Sequence, residues 1–184
     1  MAGEPTISGA LFTQHRAILT ELVGEDVLAR AAATLSAEHR DALENLTSLS
    51  FLPINAADAL YRAIGRETGR DHAALHEQVS RTAVDRALKT IWRLLLRFTS
   101  DEALVARTPV IFAKAFPQGV LTPRVVGPGR AEIRVESWPH MPEYAIRGTR
   151  VAVESVLRLA GRMNVKITVE PTHDGVLYHT SWVG

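Results

Sequence analysis

Val120–Glu136 reads VLTPRVVGPGRAEIRVE, and this stretch decides the fold class of the chain. After Gly127-Pro128-Gly129, charged side chains alternate with apolar or small ones from Arg130 to Ser137. A period of two over eight residues predicts a strand with one exposed face. The Gly-Pro-Gly run favours a turn between two apolar segments. The stretch therefore predicts an antiparallel β-hairpin.

A second hairpin is predicted at the C-terminal end. Apolar and polar residues alternate from Val165 to Glu170, and Asp174-Gly175 is a strong reverse-turn signal before the last apolar run. Between the hairpins, apolar residues at helical spacing predict a helix from Thr149 to Leu159, which Gly161 is placed to stop. The predicted order for residues 118–184 is therefore ββαββ.

Residues 1–117 have the apolar spacing of helices. Ser36, Asn55, Asp71 and Ser100 are candidate N-caps, because their side-chain oxygens can accept from the first turn of a helix. The longest helix is predicted over residues 72–98, with its second half, from Trp92 onward, as the central core element. We therefore predict one α+β domain, with a helical part over 1–117 and a ββαββ part with an antiparallel sheet over 118–184.

Composition excludes several functional classes. The chain has 184 residues, a net charge of +1 and no cysteine, which excludes disulfides, Cys-ligated zinc and thiol catalysis. No apolar run approaches the length of a membrane span, and no signal peptide is recognisable at the start, so we expect a cytoplasmic protein. An isoelectric point near 8.2 lies below the range typical of nucleic-acid-binding domains, so we expect no nucleic-acid partner.

The sequence gives little support for nucleophilic catalysis. It contains no Gly-x-Ser-x-Gly, no P-loop and no Gly-x-Gly-x-x-Gly. His72 and His76 stand four residues apart, as two zinc ligands on a helix do, but a third ligand is not visible nearby, so we interpret them as solvated surface histidines. Glu132 and Glu136 are interpreted as cross-strand ion partners of arginines. We expect no enzymatic activity, no bound metal and no cofactor.

Short motifs across the chain resemble a known family. They are Ser8-Gly9-Ala10-Leu11-Phe12, Phe51-Leu52-Pro53, the Ala87–Leu96 segment, Phe116-Pro117-Gln118-Gly119-Val120, Arg147-Gly148, Leu159-Ala160-Gly161 and Tyr178–Trp182. The chain resembles an uncharacterised protein family expanded in myxobacteria. Its order of elements looks like the fold shared by haem nitric-oxide-binding domains, vinyl-reductase-type sensor domains and Golgi transport (TRAPP) subunits.

This resemblance implies tests that can be applied to single residues. Haem-binding members use a histidine on a helix shortly before the sheet and a Tyr-x-Ser-x-Arg run for the haem propionates. No histidine lies between His76 and His140, and the corresponding run reads Val135-Glu136-Ser137-Trp138-Pro139. Only Ser137 fits, so we expect no haem. The vinyl-reductase-type branch with zinc-type cysteines is excluded because the chain has no cysteine.

We favour two functional hypotheses over a third, which is an enzyme that uses His72 and His76. The first is a non-enzymatic signalling protein, a sensor domain that binds a small apolar ligand between the long helix and the sheet and passes its state to a protein partner. The second is a protein–protein adaptor of the transport-subunit kind, expected to be a homodimer through apolar helix faces, with a filled core. The predicted ligand-binding residues are Trp92, Phe112, Tyr144, His179 and Trp182.

Overall fold

The structure is a computed structural model that describes residues 4–88 and 99–184. The chain divides into two compact units, Met1–Ala83 and Val84–Gly184. The predicted ββαββ part lies wholly within the second unit. Within the described ranges, no helix is both long enough and apolar enough to cross a membrane.

The first unit is helical with one small pair of strands. Its elements are β1 (Thr6–Ser8), α1 (Gly9–Val23), α2 (Glu25–Ala33), α3 (Ala37–Glu44), β2 (Phe51–Pro53), α4 (Ile54–Thr68) and the start of α5 (His72–Ala87). Two predicted caps are confirmed here: Ser36 Oγ accepts from the His39 N–H at 3.3 Å, and Asp71 Oδ1 accepts from the Ala73 N–H at 2.7 Å. These bonds satisfy N–H groups that the first turn of a helix leaves open.

The strands β1 and β2 were not predicted, because three residues are too few to show a period of two. They pair antiparallel, with Ile7 opposite Leu52. Gly9 lies beside this pair and donates its N–H to the Ser50 carbonyl at 2.8 Å. A Cβ at Gly9 would meet the carbonyl oxygens of Thr47 and Ser50, so a glycine is required for the two backbones to approach this closely.

Two predicted helix starts are corrected. Asn55 does not cap α4, which begins at Ile54 after Pro53; the Asn55 side chain accepts from the Ala56 N–H at 2.6 Å instead. Proline fixes the backbone of Pro53 in a conformation suited to the residue before a helix. The predicted helix start at Thr149 is also wrong, because the helix begins at Glu143, directly after Pro142. Pro142 has an extended backbone, with φ -62° and ψ 143°, which suits the residue just before a helix.

The second unit contains the predicted antiparallel sheet. Its elements after residue 98 are α6 (Asp101–Val105), α7 (Thr108–Ala115), β3 (Val120–Gly127), β4 (Arg130–Glu136), α8 (Glu143–Leu159), β5 (Met163–Thr172) and β6 (Gly175–Val183). The four strands are ordered β3-β4-β6-β5, and every neighbouring pair is antiparallel. The α+β class and both hairpins are confirmed, and Ser100 caps α6 by accepting from the Ala103 N–H at 3.3 Å.

One face of this sheet is buried and packs against α8. Tyr178 of β6 is fully buried, and its hydroxyl donates to the Ile146 carbonyl of α8 at 3.2 Å. The other face carries the charged side chains of the alternating pattern, among them Arg124 and Glu132, which are 2.8 Å apart. The predicted cross-strand ion pairing is confirmed for Glu132. Alternation along β4 and β5 therefore separates a more buried apolar face from an exposed charged one.

The long predicted helix is described only in part. Its described portion, α5, ends at Ala87. Trp92 and the predicted core segment up to Phe98 lie outside the described residues, so this part of the prediction stays a prediction.

Candidate functional sites

Two imidazoles and a phenol from three helices meet inside the first unit. His15 of α1, Tyr61 of α4 and His76 of α5 are 3%, 0% and 1% exposed. The Tyr61 hydroxyl oxygen lies 3.0 Å from His15 Nδ1. The ring centroid of His76 lies 5.0 Å from that of Tyr61 and 5.9 Å from that of His15. We call these three residues the histidine–tyrosine cluster.

Burial sets the charge of His15 within the histidine–tyrosine cluster. It lowers the pKa of His15 from 6.5 to about 4, because a protonated imidazole loses its hydration inside the unit. At neutral pH His15 is therefore uncharged, with one ring nitrogen as donor and the other as acceptor. The cluster is polar but carries no charge on His15, and it takes up a proton there only in acid.

Sequence reasoning missed His15. A signal was present, because His15 stands three residues after Phe12 and four before Leu19, which places all three on one face of α1. Phe12 and Leu19 are fully buried, and the Phe12 and His15 ring centroids are 6.4 Å apart. A histidine within an apolar helical stripe therefore indicated a buried imidazole.

The interpretation of His72 and His76 as two solvated histidines is wrong for His76. The side chain of His72 is 30% exposed, and its Nδ1 lies 3.8 Å from Asp71 Oδ1. His76, one turn further along α5, faces the interior. Among residues 4–88 and 99–184, no group of three or more His, Cys, Asp or Glu side chains is arranged to hold a metal ion.

The predicted ligand-binding residue Phe112 belongs to an aromatic cluster in the second unit. The ring centroid of Phe112 lies 5.3 Å from Phe116 and 6.3 Å from Trp138, and the Phe116 and Trp138 centroids are 5.4 Å apart. All three side chains are buried. Trp138, which follows β4, thereby joins the end of the sheet to α7. We call Phe112, Phe116 and Trp138 the aromatic cluster.

Trp182 of β6 is placed in a different, polar setting. Its indole Nε1 donates to Asp101 Oδ2 at 3.2 Å. Asp101 Oδ1 accepts from Nη2 and Nε of Arg162 at 2.8 and 3.0 Å, and Arg162 also donates to the Thr99 and Ala160 carbonyls at 2.7 Å each. Two guanidinium N–H groups thus donate to one carboxylate oxygen, and hydrogen bonds between charged groups are stronger than those between neutral ones.

His179 and Trp182 lie on opposite faces of β6. Successive residues of a strand alternate between faces, and Trp182 shares its face with the buried Tyr178 and Thr180, whereas the His179 side chain is 42% exposed. His179 Nε2 lies 3.2 Å from Glu170 Oε2, on the charged face. The hydrogen bond from Arg124 lowers the pKa of Glu132 on that same face.

The structure places four of the five predicted ligand-binding residues. Phe112 lies in the aromatic cluster, Trp182 beside Asp101, His179 on the charged face, and Tyr144 is buried in the first turn of α8. Trp92 lies outside the described residues.

Similar solved structures are H-NOX proteins. An unliganded Fe(II) H-NOX protein from K. algicida has a TM-score of 0.69 and 10% identity, covering 96% of this chain and 97% of that one. An H-NOX protein from S. oneidensis in the Fe(II)NO ligation state has a TM-score of 0.69 and 7% identity, covering 96% and 99%. A Cs H-NOX mutant with the unnatural amino acid 4-cyano-L-phenylalanine has a TM-score of 0.68 and 9% identity, covering 96% and 97%.

These likenesses establish an H-NOX-like fold. No protein-family model matches the chain. A comparison with curated proteins finds no match.

The residues at the haem positions implied by the resemblance do not fit haem. Val135 stands at the tyrosine position and is buried in the sheet, and Pro139 stands at the arginine position. Ser137 is exposed, has a φ of 57°, and donates its N–H to Asp174 Oδ2 at 2.9 Å. A carboxylate rather than a guanidinium therefore lies beside this turn, and it would repel propionates. The described α6–α7 segment contains no histidine.

Proposed function

We propose that this chain is a non-enzymatic, cytoplasmic signalling protein that binds a small apolar ligand other than haem. The ligand would shift the chain between two states that a protein partner distinguishes, because a ligand moves such an equilibrium by its difference in affinity for the two states. The H-NOX-like fold supports a sensor role, since the similar structures include a protein described in its Fe(II)NO ligation state.

One observation carries this proposal. The H-NOX-like fold extends over 96% of the chain, yet Val135 and Pro139 replace the residues that would hold haem propionates, and Asp174 adds negative charge there. A sensor scaffold with this residue set is suited to a ligand without acidic groups. Buried aromatic side chains such as those of the aromatic cluster are the usual contacts for such ligands.

Native mass spectrometry of the freshly purified full chain tests the proposal. We expect a non-covalent mass to remain on the chain, and we expect no stoichiometric haem when the cells are supplied with a haem precursor. A ligand-free dimer would favour the adaptor hypothesis instead. Stoichiometric haem with the absorbance of a ligated iron would contradict the proposal outright.

A pair of variants tests whether Trp92 contacts the ligand, as we predict. Trp92→Ala should abolish the retained mass, and Trp92→Phe, which keeps an aromatic ring, should preserve part of it. Val110→Ala serves as the control, because Val110 is 60% exposed. If Trp92→Ala is folded by circular dichroism and still retains the full mass, Trp92 is not a ligand contact.

A further inference from the structure

Strand β5 forms an outer edge of the four-stranded sheet. Among the described residues, β5 pairs only with β6, in a register that sets Lys166 opposite Ser181 and Thr172 opposite Gly175. An edge strand presents backbone N–H and C=O groups that a further strand can pair with.

The pairing groups on the open side of β5 can be assigned from Pro171. Pro171 lies opposite Val176 and has no N–H, so it fits where the backbone N faces away from the neighbouring strand. The direction of N–H and C=O groups alternates along a strand. Ile167 and Val169 therefore direct their N–H and C=O groups toward the open edge as well.

The side chains of β5 divide into a charged set and an apolar set. Lys166, Thr168 and Glu170 are exposed on the charged face of the sheet, and Ile167 and Val169 stay half-buried on the other face. Ile167 and Val169 thus keep part of their surface exposed on a strand whose outer side is unpaired among the described residues. A strand added there would cover them.

We propose that a second copy of this chain adds to β5 antiparallel, about a two-fold axis at Thr168. Antiparallel pairing about this point sets Lys166 opposite Glu170 of the second copy, and Glu170 opposite its Lys166. On the other face, Ile167 lies opposite Val169 of the second copy. The edge is thus complementary to itself in charge and in apolar character, as an isologous interface requires.

Charge selects this register over its neighbours. A two-fold axis at Lys166 sets two lysines opposite each other, and an axis at Glu170 sets two glutamates opposite each other; like charges at such positions repel. An axis at Ile167 or Val169 leaves no opposite-charge pair. Pro171 at one end and the irregularity between Met163 and Lys166 at the other limit the pairing to the segment between them.

A charge-swap series in the full chain tests this interface. We expect sedimentation velocity of the natural sequence to show a concentration-dependent monomer–dimer equilibrium. Lys166→Glu and Glu170→Lys should each weaken the dimer by about tenfold, because each sets like charges opposite each other at two symmetric positions. The double variant Lys166→Glu/Glu170→Lys should restore association, since both pairs are again of opposite charge.

Two further measurements make the result decisive. Thr122→Glu on β3, the other edge strand, should leave association unchanged, because Thr122 is exposed on an edge that the proposal does not use. Hydrogen exchange at the amides of Ile167 and Val169 should slow as the protein concentration rises. A chain that stays monomeric at every concentration overturns the proposal. A dimer that is insensitive to both single variants, or not restored by the double variant, overturns it as well.

Discussion

The Tyr61 hydroxyl oxygen and the His15 Nδ1 atom lie 3.0 Å apart in the interior of the first unit, joining α4 to α1. Two polar atoms that pair in this way avoid the cost of losing their hydration without compensation. The pair is also sensitive to acid, because burial favours the neutral imidazole and lowers the pKa of His15.

Acid should destabilise the chain through His15. The unfolded chain binds a proton at His15 below about pH 6.5, whereas the folded chain binds one only below about pH 4. This contribution to stability is therefore fully present above pH 6.5 and is lost as pH falls toward 4, by about 3 kcal/mol in the free energy of unfolding.

Urea denaturation across this pH range measures the effect of His15. His15→Gln, which cannot be protonated, should flatten the slope of the unfolding free energy against pH. His173→Gln is the control, because His173 is exposed, and it should leave the slope unchanged. An identical slope in His15→Gln and in the natural sequence would show that His15 does not control the acid response.

Removing the Tyr61 hydroxyl should cost stability. Tyr61→Phe leaves His15 Nδ1 without this partner, and we expect a loss of about 1–3 kcal/mol in the free energy of unfolding. The double variant His15→Phe/Tyr61→Phe should lose less stability than the sum of the losses in His15→Phe and Tyr61→Phe. Each single variant leaves one buried polar atom of the pair without its partner, whereas the double variant removes both atoms. Additive losses in chemical denaturation would contradict this coupling.

The Asp101–Arg162 pair should stabilise the second unit more than the exposed Arg124–Glu132 pair does. Arg162→Gln removes both hydrogen bonds to Asp101 Oδ1 from a side chain that is only 11% exposed, and we expect a loss of about 1–3 kcal/mol in the free energy of unfolding. Arg124→Gln is the matched control; its side chain is 72% exposed, and solvent screening should keep its loss under about 1 kcal/mol. Equal losses in the two variants would refute the difference.

Gly129→Ala should be more destabilising than Gly69→Ala. Both glycines have left-handed backbones, with φ values of 64° and 69°, so alanine costs about 1–2 kcal/mol at either position. At Gly129 a Cβ would also meet the Trp182 carbonyl oxygen, whereas nothing lies within 4 Å at Gly69. Thermal denaturation of the two variants compares the costs, and a smaller loss for Gly129→Ala would exclude the steric contribution.

The sequence alone determined the local elements with strong patterns. The period of two predicted β4 and β5, because each has one face more buried than the other. The Gly-Pro-Gly and Asp-Gly turn signals predicted that each pairs with a neighbouring strand in a hairpin. Ser36, Asp71 and Ser100 predicted helix starts, because their side chains accept from N–H groups within three residues of the cap. The prediction failed for β1 and β2, which are too short to show a period. It also failed for the start of α8, because the helix begins six residues before Thr149, at Glu143.

The tertiary structure decided which distant side chains meet. His15, Tyr61 and His76 come from three helices, and Arg162 reaches Asp101 across 61 positions of the chain. No local pattern encodes such contacts, because they depend on how the elements pack. The two hairpins were predictable one by one, but the placement of β6 beside β4 was not, since it joins strands that α8 separates. That placement makes β5 an edge strand and sets His179 and Trp182 in different environments.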